Sequence, residues 1–332
     1  MLRSEALDRT ARGVGNWALD VYGRWRARRY DVRDTIVVAC TGRGGSTWLA
    51  QIVSTLPHHH LLWEQLHWRT NSECQEYGFG EPIYLTNERA RTEQEQFVRR
   101  VLTGKTLSSA INTSRYFQPW DLIRVRAYVA KFVTANMLLP WMVETFGVRT
   151  IYMVRHPCAV VASQMKHGRW DEVEKEFCEH PVLFQEYPRL RRTFEAISST
   201  EEILAFNWAV QNIIPLKHPS PKPWITTTYE ALVEDGMNEV ERIFGELGEP
   251  VPQRAEPMLN RSSATSSEAS SNHRNREQLT KWRKRLSTAQ IGRILEVVND
   301  SGITVYDDGL YPNLDRASVT EKEGKFGGAS AE

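Results

Sequence analysis

The run Thr35-Ile36-Val37-Val38-Ala39-Cys40 empties directly into Thr41-Gly42-Arg43-Gly44-Gly45-Ser46-Thr47-Trp48, which passes into the apolar Leu49-Ala50-Gln51-Ile52-Val53. No other feature constrains the fold as tightly. A short apolar run reads as a strand, the glycines as a tight turn, and the following segment as a helix. A strand that passes through glycines into a helix start makes an anion site there. The glycines let backbone N–H groups converge. Ser46 and Thr47 stand where they can cap the helix and donate to an anion. Arg43 can reach a bridging oxygen bidentately.

Strand-like runs recur at 34–40, 60–63, 125–133, 149–155 and 224–229. Helical patterns lie between and after them, at 46–55, 91–103, 136–146, 157–165, 200–216, 231–247 and 288–300. Such alternation predicts an α/β fold: a P-loop-like parallel sheet of about five strands, flanked by helices on both faces. Ligands of such sheets bind beyond the carboxyl ends of the strands, where the glycine loop stands.

With 332 residues and a net charge of +1, the chain carries no global field that would recruit nucleic acid. Any anion site must be local. Cys40, Cys74, Cys158 and Cys178 lack C-x-x-C spacing and read as free thiols in a reducing compartment. His58-His59-His60 cannot easily aim three rings at one metal; the run reads as an exposed turn after Pro57, and no metal is expected.

No apolar stretch reaches the roughly 18–20 residues that span a bilayer, and the N-terminus has no signal-peptide core. The expectation is a cytoplasmic protein. Residues 1–33 read as a basic amphipathic helix, with Leu7, Val14, Trp17, Val21 and Trp25 near one face. It either packs on the domain or lies on an anionic membrane surface, a peripheral contact. Residues 34–312 form the domain and 313–332 a disordered tail. A serine-rich loop spans 261–275.

The glycine loop lacks the lysine of the nucleotide P-loop, since its cation, Arg43, comes early. A second stretch narrows the reading. Ile151-Tyr152-Met153-Val154-Arg155-His156-Pro157 is a strand ending on an arginine, Pro157 suits a helix's first turn, and Ser163 follows Arg155 by eight residues.

Together these stretches resemble the sulfotransferases that use 3′-phosphoadenosine 5′-phosphosulfate (PAPS). Arg43-Gly44-Gly45-Ser46-Thr47 is similar to the family's loop after its first strand, with Gly44 in place of the usual serine. Arg155, Pro157 and Ser163 match its second element without a gap. The resemblance implies that the loop, Arg43 to Trp48, binds the 5′-phosphosulfate, and that Arg155 and Ser163 bind the 3′-phosphate. "TTTYEALVED" resembles the strand whose tyrosine, here Tyr229, lies near the adenine. The likeness covers roughly residues 34–310.

Sulfuryl transfer needs a bound donor, an in-line hydroxyl, stabilisation of the leaving oxygen and a base. Arg43 and the loop N–H groups would stabilise the leaving oxygen. In the small-molecule branch the base is a histidine two residues after a lysine. Here Lys131 and Pro140 keep that spacing, but the position holds Val133. "HHHLLWEQLHW" instead resembles a segment of the carbohydrate-type branch, in which a glutamate faces the acceptor. That makes Glu64 the base, with Gln65 where that branch has proline; His67 is the reserve, and Lys131 would touch the sulfuryl oxygens. The resemblance thus implies a PAPS-dependent sulfotransferase, nearer the carbohydrate-type branch, acting on a hydroxyl of a glycan, glycolipid or lipid. The departures at Gly44, Gln65 and Val133 define the rival, a catalytically inactive nucleotide-binding interaction module. A magnesium-dependent kinase-like enzyme is the third reading.

Overall fold

The computed structural model describes residues 30–106, 125–167, 175–261 and 276–318. β1 (Ile36–Cys40) is apolar and buried at every position. A strand of that kind needs neighbours on both edges and cover on both faces. β3 (Ala127–Phe132) and β4 (Arg149–Val154) flank it, and β2 (His59–Trp63) and β5 (Ile225–Thr228) lie outside them. The order is β2-β3-β1-β4-β5, and every pairing is parallel.

The helices are, in chain order, α1 (Ser46–Val53), α2 (Thr92–Leu102), α3 (Leu139–Phe146), α4 (Pro157–Lys166), α5 (Pro181–Glu186) and α6 (Pro188–Ala196). There follow α7 (Thr200–Lys217), α8 (Tyr229–Glu234), α9 (Met237–Leu247), α10 (Ala255–Leu259), α11 (Glu277–Arg285) and α12 (Thr288–Asp300). Side-chain alternation along β1 divides the core between the two faces. Val37 and Ala39 join the cluster built with α2, α3, α4, α7 and α12. Ile36, Val38 and Cys40 join the one built with α1, α8, α9 and α10.

All five expected strands form, with ends within two residues of expectation. Three expectations need correction. The exposed turn after Pro57 holds for His58 only: His59 and His60 open β2, paired with Ala127 and Tyr128, and His60 is buried. The helix expected over 231–247 is two helices, α8 and α9, divided where Gly236 takes φ 58°. Short helices α5, α6, α10 and α11 were not foreseen; Pro181 and Pro188 start two of them. Within the expected tail, Leu314–Ser318 form a 3-10 turn. Most of the N-terminal helix (1–29), the serine-rich loop (262–275) and the rest of the tail (319–332) lie outside the described residues. Among the described residues no helix is long and apolar enough to cross a membrane.

The carboxyl edge of the sheet gathers the candidate residues. The glycine loop follows β1, Glu64 follows β2, Lys131 stands one residue before the end of β3, Arg155 follows β4 and Tyr229 follows β5.

Candidate active site

The Gly44 N–H closes a turn onto the Thr41 carbonyl at 2.8 Å. Arg43 and Gly45 both take positive φ, 72° and 105°. Gly45 is the N-cap of α1, and no side chain caps the helix. This corrects the capping role expected of Ser46 and Thr47, which are instead buried in the first turn. The N–H groups of Gly45 and Thr47 have no partner among the described residues. A helix start left open in this way attracts an anion.

Both central glycines are sterically required. A Cβ on Gly44 would lie 2.2 Å from the Cys40 sulfur and 2.8 Å from the Thr41 carbonyl oxygen. A Cβ on Gly45 would lie 2.6 Å from the Tyr229 ring. Cys40 thus fills the space that a side chain at position 44 would need, and burial pushes its thiol pKa up to about 12. Gly44→Ser is therefore expected to cost about 1–3 kcal/mol, the scale of overpacking a filled core. Thermal melts should show the loss. Cys40→Ala in the same chain should recover only part of it, because the Thr41 carbonyl remains. An unchanged melting temperature for Gly44→Ser would contradict this packing.

Behind the loop lies a buried amide network. Thr41 Oγ1 accepts from Asn212 Nδ2 at 2.9 Å and from Asn136 Nδ2 at 3.3 Å. Tyr152 donates to Asn212 Oδ1 at 2.7 Å, and Gln164 Nε2 donates to the Gly42 carbonyl at 3.1 Å. These residues escaped the sequence reading. The available signal was amides within apolar helical patterns, which have to find partners when buried. Trp48, expected among the ligand-binding residues, is buried in the core. Its indole N–H donates to the Leu259 carbonyl at 3.1 Å.

Arg43 and Arg155 meet beside the loop. Arg43 Nε donates to Ser163 Oγ at 3.1 Å and its Nη2 contacts His167 Nε2 at 2.6 Å. Burial, and then the nearby charge of Arg155, lower the Arg43 pKa. Arg155 Nη1 donates to the Arg43 carbonyl at 3.2 Å, and its guanidinium lies 3.9 Å over the buried Tyr229 ring. Its Nε is buried with no hydrogen-bond partner. Neither guanidinium pairs with a carboxylate among the described residues. Two cations and an open helix start therefore face one another uncompensated, an arrangement a bound anion would relieve.

The Arg155–His156 peptide is held from both sides. Trp208 Nε1 donates to the Arg155 carbonyl at 3.1 Å, and the His156 N–H donates to Glu230 Oε1 at 3.0 Å. Glu230 also accepts from the Tyr306 hydroxyl at 3.0 Å, and burial raises its pKa. His156 accepts the Cys158 N–H and stacks on Trp282 at 4.6 Å. Burial pushes its pKa down to about 4, so the ring is neutral near pH 7.

On the other side of β1 stands an ion pair. Glu64 is buried with φ 45°. One carboxylate oxygen pairs with Lys131 Nζ, and the other accepts the Val133 N–H at 2.9 Å. Lys131 Nζ also lies 4.1 Å from the centre of the Trp63 ring. The position that holds a histidine in the small-molecule branch thus supplies a backbone donor to the glutamate. Gln65, in place of that proline, accepts from Thr106 Oγ1 at 2.9 Å. His67 Nδ1 accepts the Arg69 N–H at 3.2 Å. That places the neutral ring's proton on Nε2 and occupies the lone pair a base would use. Burial lowers the His67 pKa. Among the described residues no three His, Cys, Asp or Glu side chains converge as metal ligands would.

A family model described as a sulfotransferase domain matches residues 33–304. No curated protein matches the chain. Among solved structures, the chain is similar to a sulfotransferase domain from the curacin biosynthetic pathway, at 17% identity and TM-score 0.41 over 80% of this chain and 96% of that one. It is also similar to mouse sulfotransferase SULT7A1 complexed with PAP, at 16% identity and TM-score 0.41 over 82% and 85%. A third is retinol dehydratase in a complex with retinol and PAP, at 15% identity and TM-score 0.40 over 81% of each chain.

Proposed function

Because the chain belongs to the sulfotransferase family, we propose that it moves a sulfuryl group from PAPS to a hydroxyl of a carbohydrate, glycolipid or lipid acceptor. The observation that carries the donor assignment is the uncompensated pair Arg43 and Arg155 beside the open start of α1, with Arg155 Nε buried and unpartnered. The Gly45 and Thr47 N–H groups bind the 5′-phosphosulfate, and Arg43 stabilises charge growing on the bridging oxygen. Arg155, braced on Tyr229, and Ser163 hold the 3′-phosphate. Ser163 Oγ accepts from Arg43, which leaves its own proton free to donate. Tyr229 sits beneath the loop, so it supports the adenine end through Arg155 rather than by its exposed face. Glu64 takes the acceptor proton, and Lys131 pairs with it and stands toward the sulfuryl oxygens.

The carbohydrate-type assignment rests on Glu64 and on Val133 in the histidine position. Two of the departures from the family pattern have a fitted counterpart, Gly44 with Cys40 and Gln65 with Thr106. That favours a working site over an inactive binding module. A cytoplasmic location, with peripheral membrane contact through residues 1–33, completes the reading and suits a lipid-borne acceptor.

Calorimetry with Arg155→Ala tests the donor assignment. Binding of adenosine 3′,5′-bisphosphate should weaken by about 2–4 kcal/mol, the scale for removing one partner of a buried charge pair. Binding of adenosine 5′-phosphosulfate, which lacks the 3′-phosphate, should barely change. Equal losses for both ligands would refute the assignment.

A further inference from the structure

Arg43 is held at two points on one face of α4. Ser163 and His167 stand four residues apart, one helical turn, and Arg43 reaches the first through Nε and the second through Nη2. A guanidinium has five donors and no acceptor, and it does not lose its proton. His167 Nε2 must therefore accept, so the ring is neutral with its proton on Nδ1. The planar fork fixed at both points has one orientation, and its remaining N–H groups keep a defined direction.

We infer that His167 is a positioning residue for Arg43: its Nε2 lone pair sets the plane of the guanidinium that acts on the leaving oxygen. This rests on the role proposed for Arg43. Arg43 stands on a flexible side chain at a positive-φ position, and the loop alone gives its fork no orientation. Catalysis by a preformed charge depends on that orientation being set before the reaction.

The test uses the full chain with His167→Leu, which keeps bulk and removes the acceptor, and His167→Gln, whose amide oxygen can accept. In His167→Leu, kcat should fall about ten- to hundredfold, the scale of a lost hydrogen bond to a charged group, with adenosine 3′,5′-bisphosphate affinity within about twofold of wild type. His167→Gln should recover most of the turnover. Nitrogen NMR of the imidazole should show Nε2 unprotonated at neutral pH. In an Arg43→Ala background, His167→Leu should cause little further loss, because the group it positions is gone.

Wild-type kcat in His167→Leu overturns the inference. Equal losses of turnover and nucleotide affinity also overturn it, since they mark a purely structural role. So do additive losses in the cycle, or a proton found on Nε2. Arg43→Ala alone separates the two levels: if that variant keeps turnover, the role proposed for Arg43 falls; if it loses turnover while His167→Leu does not, only the positioning role falls.

Discussion

Replacing Glu64 by glutamine is expected to lower turnover about 10²–10⁴-fold with donor binding intact, the usual contribution of a positioned base. The side chain is held in place independently of substrate, by Lys131 on one oxygen and the Val133 N–H on the other. Glutamine keeps the shape and can still accept from Val133, but it cannot take a proton. It also leaves the buried Lys131 without a counter-charge. Breaking a buried pair from one side costs about 3–5 kcal/mol, so lost turnover could reflect lost structure. Lys131→Met in the same chain removes the stranded cation, and Lys131→Met alone measures what the lysine itself contributes to turnover, so the two together separate the causes. Stability should return in the double variant and turnover should not. Recovered turnover would show that Glu64 serves only to neutralise Lys131. His67→Ala is the second control. With its Nδ1 already accepting from Arg69, its loss should leave most activity. If His67→Ala abolishes turnover and Glu64→Gln does not, the base is His67.

How much of this was legible in the sequence depends on the kind of residue. The glycine loop, Arg43, Arg155 and the five strands were readable because each imposes a local rule: a buried strand reads as a continuous apolar run, and a tight turn needs glycine. Short helices such as α5 and α10 span too few turns to show a period. The histidine run misled in part: His58 is the exposed turn expected, but His59 and His60 belong to a strand, which only their pairing with β3 reveals. The candidate site was read as a set of names rather than as partnerships. Nothing local says that Glu64, just past β2, and Lys131, on β3, form one pair, or that Asn136 and Asn212 converge on Thr41. Cys40 is the free thiol it was read as, but its volume, which explains why position 44 is glycine, carries no local signal. His167, at the end of α4, carries no motif at all. Its role emerges only from what Arg43 touches across the fold.

Arg43→Ala should lower kcat about 10²–10³-fold and raise the donor KM far less, the scale for removing one donor aimed at developing charge. Alanine is the informative substitution here. It keeps the Cβ, so the backbone at φ 72° bears the same strain as before. It also keeps the Arg43 carbonyl, which accepts from Arg155 Nη1 and helps hold that residue toward the 3′-phosphate. Nucleotide affinity should thus survive while the chemical step slows. Lysine should restore part of the rate, since it returns one charge without the planar fork. The restoration must stay incomplete, because an ammonium cannot bridge Ser163 and His167 with fixed geometry and still aim at the leaving oxygen. Glycine at the same position relaxes the backbone. A larger loss of nucleotide affinity in Arg43→Gly than in Arg43→Ala would therefore report the loop's shape rather than the side chain's charge. An Arg43→Ala enzyme with near-normal kcat would remove Arg43 from the reaction and leave the leaving oxygen to the open start of α1.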